Sequence, residues 1–436
     1  MKYETIKSVV LTALMLLSFG LTWAIWTYQP NYDPLVSGKF VEEVKMGDKK
    51  EESSIIKPDR ILYHVGEDKH FGTNEVDRVI NEISEWVYFD VQNYTEQAGN
   101  FKQAIHGTGK VELVFPHEVP IEVFREVLNF EQKRIPSFKF DRVVIDMTSL
   151  KKDRGRIYFA NTANQQIYIS YISSSYLAKF DQEFYENAEQ YPAYFSYNAG
   201  EKRTIFIPEQ ETEMIQYKYL PMNLNSEEFK EALFKVPNLV LKSFVDGSEE
   251  YTNDSSKLNI YTDDNYLVFV NPTEDNGYIS GAANLLQRSI DFINNHSGWT
   301  DPYRFASLDE GSQEVTFRMY SMDGYPVFNS KGLSEITEVW GKNEIIKFTR
   351  PTFSMELPLE FTKVVRPSGR DVIEFLHSRE NFKPELLESL VLGYRMEREP
   401  QLKRLIVLEP AWFYLYNNSW EEISMDELGG VKRGLE

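Results

Sequence analysis

The chain has 436 residues, 67 acidic and 47 basic side chains, a formal charge of −20 and no cysteine. That balance argues against nucleic acid and against anionic lipid or wall polymers, since phosphate-rich partners select for Lys and Arg. The missing cysteines exclude disulfide staples, thiolate metal ligands and lipid attachment at a signal-peptide cysteine. The fold must therefore stand on burial, for which 26 Tyr and 29 Phe are ample. An uncrosslinked outer body fits the outer face of a single-membrane bacterium better than a eukaryotic ectodomain.

Residues 8–28 (SVVLTALMLLSFGLTWAIWTY) carry no charge. A helix of that length spans roughly 30 Å, about the hydrocarbon thickness of a bilayer. The run is long for a signal peptide and is followed by no A-x-A-like site before Gln29-Pro30. It ends in Trp23, Trp26 and Tyr28, rings of the kind that anchor at a membrane interface. A retained single-pass span is expected. Lys2 and Lys7 precede it and the next basic residue is Lys39, which puts the N-terminus in the cytoplasm and the rest outside. Ser18-x-x-x-Thr22 and Gly20-x-x-x-Ala24 set small and hydroxylated side chains at helical spacing, a face that another helix could approach.

The expected order is a cytoplasmic stub (1–7), a transmembrane helix (8–28), a charged linker (29–56), an N-terminal α/β domain (57–139), a middle α+β domain (140–278) and a C-terminal α+β domain (279–436). Residues 61–65 read as a strand. A helix capped near Thr73 carries Val76, Val79, Ile80, Ile83 and Val87 on one face. A strand at 111–115 and a helix opened by Pro120 follow. Residues 157–160 and 167–171 alternate around Asn164 as a hairpin. A helix capped by Ser226 precedes a second hairpin, 258–261 with 267–270, turning at Asp263-Asp264-Asn265. The last part opens with a helix over 282–294 presenting Leu285, Leu286, Ile290 and Ile293. Residues 315–320 suggest a half-buried strand turned at Asp323-Gly324. Strands at 345–348, 405–408 and 413–416, with a helix at 371–377, complete an α+β fold: one transmembrane helix, then an extracytoplasmic three-domain body of mixed and antiparallel sheets with packed helices.

A search for chemistry finds little. The six histidines (His64, His70, His106, His117, His296, His377) show no metal-ligand spacing and read as scattered structural residues. The segment His106-Gly107-Thr108-Gly109-Lys110 resembles a phosphate loop only briefly. Ala104 and Val111 stand where Gly and Ser or Thr are needed, so it reads as a turn feeding a strand. The acidic stretches at 263–265 and 274–277 lack calcium-loop spacing and read as turns. No catalytic, cofactor-binding or metal residue is assigned, and no enzyme is expected. A carboxylate pair for wall-glycan hydrolysis stays open among so many acids.

Several segments together resemble one family. Residues 22–30 (TWAIWTYQP), Gly298-Trp299-Thr300-Asp301, Gly324-Tyr325-Pro326-Val327-Phe328-Asn329 and Leu408-Glu409-Pro410-Ala411-Trp412-Phe413 look like YycH (WalH) proteins of Gram-positive bacteria, in order and along nearly the whole chain. The resemblance implies a three-domain extracytoplasmic regulator without catalytic residues or cofactors. It implies association with a YycI-like companion and with the membrane helices of a WalK (YycG) sensor histidine kinase that governs cell-wall metabolism. The alternatives are an anchored solute-binding body with an unknown outer ligand, or an anchored wall hydrolase.

Overall fold

The computed structural model describes residues 2–27, 46–275, 277–279, 281–402, 404–424 and 428. The chain divides into two units, Met1–Glu43 and Val44–Glu436. In the first, Lys2–Thr27 is one continuous helix of 26 residues. Leu11, Leu14, Leu16, Leu17 and Phe19 on it are exposed. Among the described residues no helix is long and apolar enough to cross a membrane. The charge-free run of this helix also includes Val9, Val10, Thr22 and residues 24–27, whose side chains lie outside the described set. Tyr28 and linker residues 29–45 lie outside it altogether.

The second unit is mixed α+β and rich in sheet. Its first sheet has ten strands: β1 (Arg60–His64), β2 (His70–Thr73), β3 (Val87–Asn93), β4 (Lys110–Pro120), β5 (Asn129–Phe130), β6 (Lys139–Asp146), β7 (Arg154–Asn161), β8 (Gln166–Ser173), β9 (Ala193–Asn198) and β10 (Thr204–Pro208). Their order is β10-β9-β2-β1-β4-β6-β7-β8-β3-β5, antiparallel except β3 with β5. Period-two alternation sends Ile61, Tyr63, Val111, Leu113, Val143 and Ile145 into the main core. There Phe115, Phe124, Phe140 and Phe159 pack ring against ring at 5.1–5.4 Å. Leu62 and Val114 join Tyr194 and Phe206 in a separate small cluster. Every residue of β1 is buried, as expected of a strand covered on both faces.

An eight-stranded sheet runs in the order Leu241–Val245, Ser248–Thr252, Lys257–Tyr261, Tyr266–Val270, Ile345–Pro351, Glu335–Trp340, Glu314–Met319, Tyr303–Asp309. The helix Ala282–Asn295 buries Leu285, Leu286, Ile290 and Ile293. A six-stranded sheet draws Thr212–Tyr219 in beside Ile406–Tyr416 and Pro358–Arg366. The divisions expected at 139/140 and 278/279 thus fall within sheets: β6, which starts at Lys139, pairs with β4 and β7, and Tyr266–Val270 pairs with Ile345–Pro351.

Local readings differ in informative ways. Thr73 ends β2 instead of capping a helix; its hydroxyl accepts the Glu75 N–H, the helix is Asp77–Ser84, and Val87 opens β3. Asn225, one residue before Ser226, caps the next helix through Glu227 N–H. The end of the expected linker is packed, with Ile55 and Ile56 fully buried. Thr316, Arg318 and Tyr320 are buried as well as their alternating neighbours, because Arg318 lies over the Phe328 ring and is paired with Glu335. Residues 406–408 and 413–416 belong to one strand, Ile406–Tyr416, which runs through Pro410 and leaves Leu405 just outside.

Candidate functional site

Three of the six histidines, expected to be scattered, meet around one buried carboxylate. His64 ends β1 and His70 opens β2, directly opposite across the hairpin. The β1–β4 register sets Glu112 opposite Leu62, on the same face as His64. The β4–β6 register brings Arg142 to that face beside Glu112. His106 closes the short helix Phe101–His106, capped by Asn100. Beyond it Gly109 takes a positive φ of 80°, and its N–H donates to the His64 carbonyl at 2.7 Å, tying this loop to β1. His117, His296 and His377 sit apart, against Phe305, Phe292 and Tyr197 respectively.

Glu112 Oε2 lies 3.1 Å from His64 Nε2 and 2.8 Å from His106 Nδ1, while Arg142 Nε donates to Oε1 at 2.7 Å. His64 Nδ1 is 2.9 Å from His70 Nδ1. One tautomer set satisfies every contact: His70 Nδ1–H donates to His64 Nδ1, while His64 Nε2–H and His106 Nδ1–H donate to the carboxylate. Phe206 packs on all three imidazoles, with centroids 4.8–5.2 Å away. Burial pushes His64 down, and burial with its neighbour His64 pushes His70 down to about 4. Burial alone would raise Glu112, but His106, His64 and Arg142 together hold it well below the usual carboxylate range. Neutral His64 and His70 thus stand beside an ionised glutamate. His64, His106 and Glu112 offer three donor atoms within 4.8 Å of one another, a set that could hold a metal ion. His106, Glu112, Arg142 and Phe206 also line a cavity of about 820 Å³.

Sequence reasoning missed this site because its groups arrive from five elements. The available signal was His64 and His70 flanking a short turn through Gly66, a spacing that places them opposite one another in a hairpin.

A second cavity, of about 710 Å³, is lined by Leu233, Phe234, Phe269, Phe292, Trp340 and Ile345, with Arg288 and Asp291 also on its wall. Nearby Glu338 is fully buried, and its Oε2 accepts the Trp340 indole N–H at 3.0 Å.

Of the residues expected at a helix–helix face, Ser18 and Gly20 are exposed on Lys2–Thr27, as is the expected interfacial anchor Trp23. Thr22, Ala24 and Trp26 share that helix, with side chains outside the described set, and Tyr28 lies outside the described residues. A Cβ built on Gly20 meets nothing within 4 Å.

The family-like motifs prove to be joints. Arg350, fully buried, donates to Ser297 Oγ, the Gly298 carbonyl and Thr300 Oγ1 at 2.6–3.0 Å. Gly298, at φ 74°, lets residue 47 pass where a Cβ would lie 2.2 Å from the Gly47 carbonyl. Gly324 similarly abuts the Asn74 carbonyl. Trp412 Nε1 donates to the Pro367 carbonyl and Arg366 Nε to that of Pro410.

An α+β body built on three large sheets is the class this geometry defines. Within it the chain belongs to the YycH family: the family models described as YycH protein, N-terminal domain and YycH protein, C-terminal domain match residues 4–189 and 202–428. The two-component system WalR/WalK regulatory protein YycH of Bacillus subtilis (strain 168) is 24% identical over 462 aligned residues, covering 100% of both chains. The crystal structure of YycH from Bacillus subtilis matches with a TM-score of 0.73 at 19% identity, over 88% of this chain and 99% of that one, a likeness of fold.

Proposed function

We propose that this chain regulates a WalK-type sensor histidine kinase without catalysing a reaction, from a single membrane span at residues 8–28. Its sheets lie on the outer face, beside a YycI-like companion, and its output is cell-wall metabolism. The observation that carries this reading is the end-to-end similarity to a relative described as a regulatory protein of WalR/WalK. The charge-free run and its exposed apolar side chains support the span. The basic residues that precede it and the gap to Lys39 support the orientation. Influence on the kinase passes through helix packing and equals the difference in packing energy between the kinase's states, about 1–3 kcal/mol.

The test replaces Gly20 and Ala24 with Leu. The open space around Gly20 means that there the added side chain leaves this chain's own packing alone. Co-purification with the kinase should fall and its autophosphorylation should change; if both stay as in wild type, the helix interface is discarded. Release of muropeptides by the purified body would overturn the non-enzymatic part.

The 710 Å³ cavity favours one addition, a small amphipathic outer ligand. Wall fragments that fit it should raise the melting temperature of the chain, and no shift at millimolar concentration removes that addition.

A further inference from the structure

We propose that His64, His106 and Glu112 form a binding site for a divalent transition-metal ion, zinc foremost, which would lock the first sheet to the helix Phe101–His106. This goes beyond the regulatory reading and does not depend on it.

The argument is geometric. Tetrahedral zinc holds nitrogen and oxygen ligands at 2.0–2.2 Å, which sets the ligands roughly 3.3 Å apart. Here His64 Nε2 and His106 Nδ1 stand 3.1 and 2.8 Å from the same oxygen, Glu112 Oε2, and all three donors fall within 4.8 Å. Each histidine–carboxylate separation lies within a few tenths of an ångström of the coordinating one, and the two nitrogens stand within 4.8 Å of each other. Two donors come from adjacent sheet strands and are held by ladder pairing on both sides. The third is fastened by the helix cap at Asn100 and by the Gly109 N–H on His64.

The surrounding shell fits as well. A metal-bound histidine needs a partner for its other ring nitrogen, and a bound carboxylate needs its second oxygen held. His70 Nδ1 stands 2.9 Å from His64 Nδ1, and Arg142 Nε donates to Glu112 Oε1. Coordination requires both ligating nitrogens to be free of protons: the His64 proton moves from Nε2 to Nδ1 and faces His70, whose own proton moves to Nε2, and the His106 ring proton sits on Nε2. Phe206 seals one side. On the other, His106 and Glu112 line the 820 Å³ cavity, giving an entry path and room for a fourth ligand. Two imidazoles and one carboxylate select zinc or its neighbours over magnesium and calcium, which prefer all-oxygen sets.

The test uses the full chain in detergent, stripped with chelator and titrated with zinc chloride at neutral pH. One zinc ion should bind per chain and raise the melting temperature. Cobalt(II) in its place should give the intense visible bands of a four-coordinate site. His106→Ala, at a half-buried position, and Glu112→Gln should each weaken zinc binding by about 100-fold or more. His70→Ala, outside the ligand set, should cost about 10–100-fold. The absence of stoichiometric zinc binding and of cobalt bands in wild-type chain would overturn the proposal, and neither measurement depends on a variant folding. Retention of wild-type affinity in both His106→Ala and Glu112→Gln would also overturn it, assigning the ion to exposed carboxylates.

Discussion

Glu112 and Glu338 are both buried glutamates on sheet strands, yet they hold opposite charge states. Glu112 faces Arg142 and two imidazoles, which keep it ionised against its burial. Among the described residues Glu338 has the Trp340 indole and Ser289 as polar partners; burial raises it well above the usual range, so it stays protonated. Depth is the same in both sheets, and the difference lies in what each fold brings opposite the carboxyl. A buried acid becomes an anion only where the sheet register delivers a cation.

The largest effect that would break this contrast is Glu112→Gln, which takes the buried carboxylate from Arg142 and leaves it paired with Asp141 alone. A loss of about 3 kcal/mol in denaturant unfolding is expected, at the low end for a broken buried pair because Arg142 keeps some exposure. Glu112 is depressed in the folded state, so its contribution is complete above the unfolded value of 4.5 and fades as pH falls toward the folded value. The variant should therefore lose less stability on acidification than wild type does.

Asp301 is an intermediate case, pushed by burial from 3.8 up to about 6 despite Arg350 and Lys50 nearby. A raised acid holds its proton longer in the folded state, so its stabilisation is present below about 4 and lost as pH rises through about 6. Asp301→Asn should remove that decline and gain about 2–3 kcal/mol at pH 7 relative to the trend in wild type. Melting curves between pH 4 and 7 would decide it, and parallel curves for the two proteins would refute the assignment.

Trp340→Phe takes the indole donor from Glu338 and leaves a small void, a loss of about 2 kcal/mol in the same unfolding assay. Glu338→Gln, close in shape to the protonated acid, should change stability by less than about 1 kcal/mol at neutral pH. It should also flatten the decline that wild type shows as pH climbs toward the raised Glu338 value. A large loss in Glu338→Gln at neutral pH would mean that Glu338 is an anion after all.

What the sequence disclosed was local. Alternation in 157–160 and 167–171 gave the β7–β8 hairpin, and the 3.6 period gave the buried face of Ala282–Asn295. Two pieces were read where there is one strand because Pro410 has no N–H for the ladder. The structure keeps it by pairing Tyr394 opposite and giving its carbonyl to Arg366. The Glu112 cluster was illegible for a deeper reason. Its members span residues 64 to 142, and only long-range registers, which no local period encodes, make them neighbours. The segment containing His106 is a turn entering β4, as its spacing predicts, and nothing local marks its first residue as a member of the cluster. The family resemblance added what period and spacing do not carry, the regulatory association itself.

The stitching of residues 47–50 onto residues 294–301 has a mechanical consequence. Gly47 N–H donates to the Ser297 carbonyl, Trp299 N–H to that of Asp48, and Asn294 exchanges hydrogen bonds with the Lys50 backbone, all at 2.8–3.0 Å. Pulled along its own axis, this segment loads these bonds side by side in shear, so they must yield together. The fastening should resist force better than bonds opened one after another like a zipper, and strain arriving there would be passed straight to Arg350 and the strand that carries it.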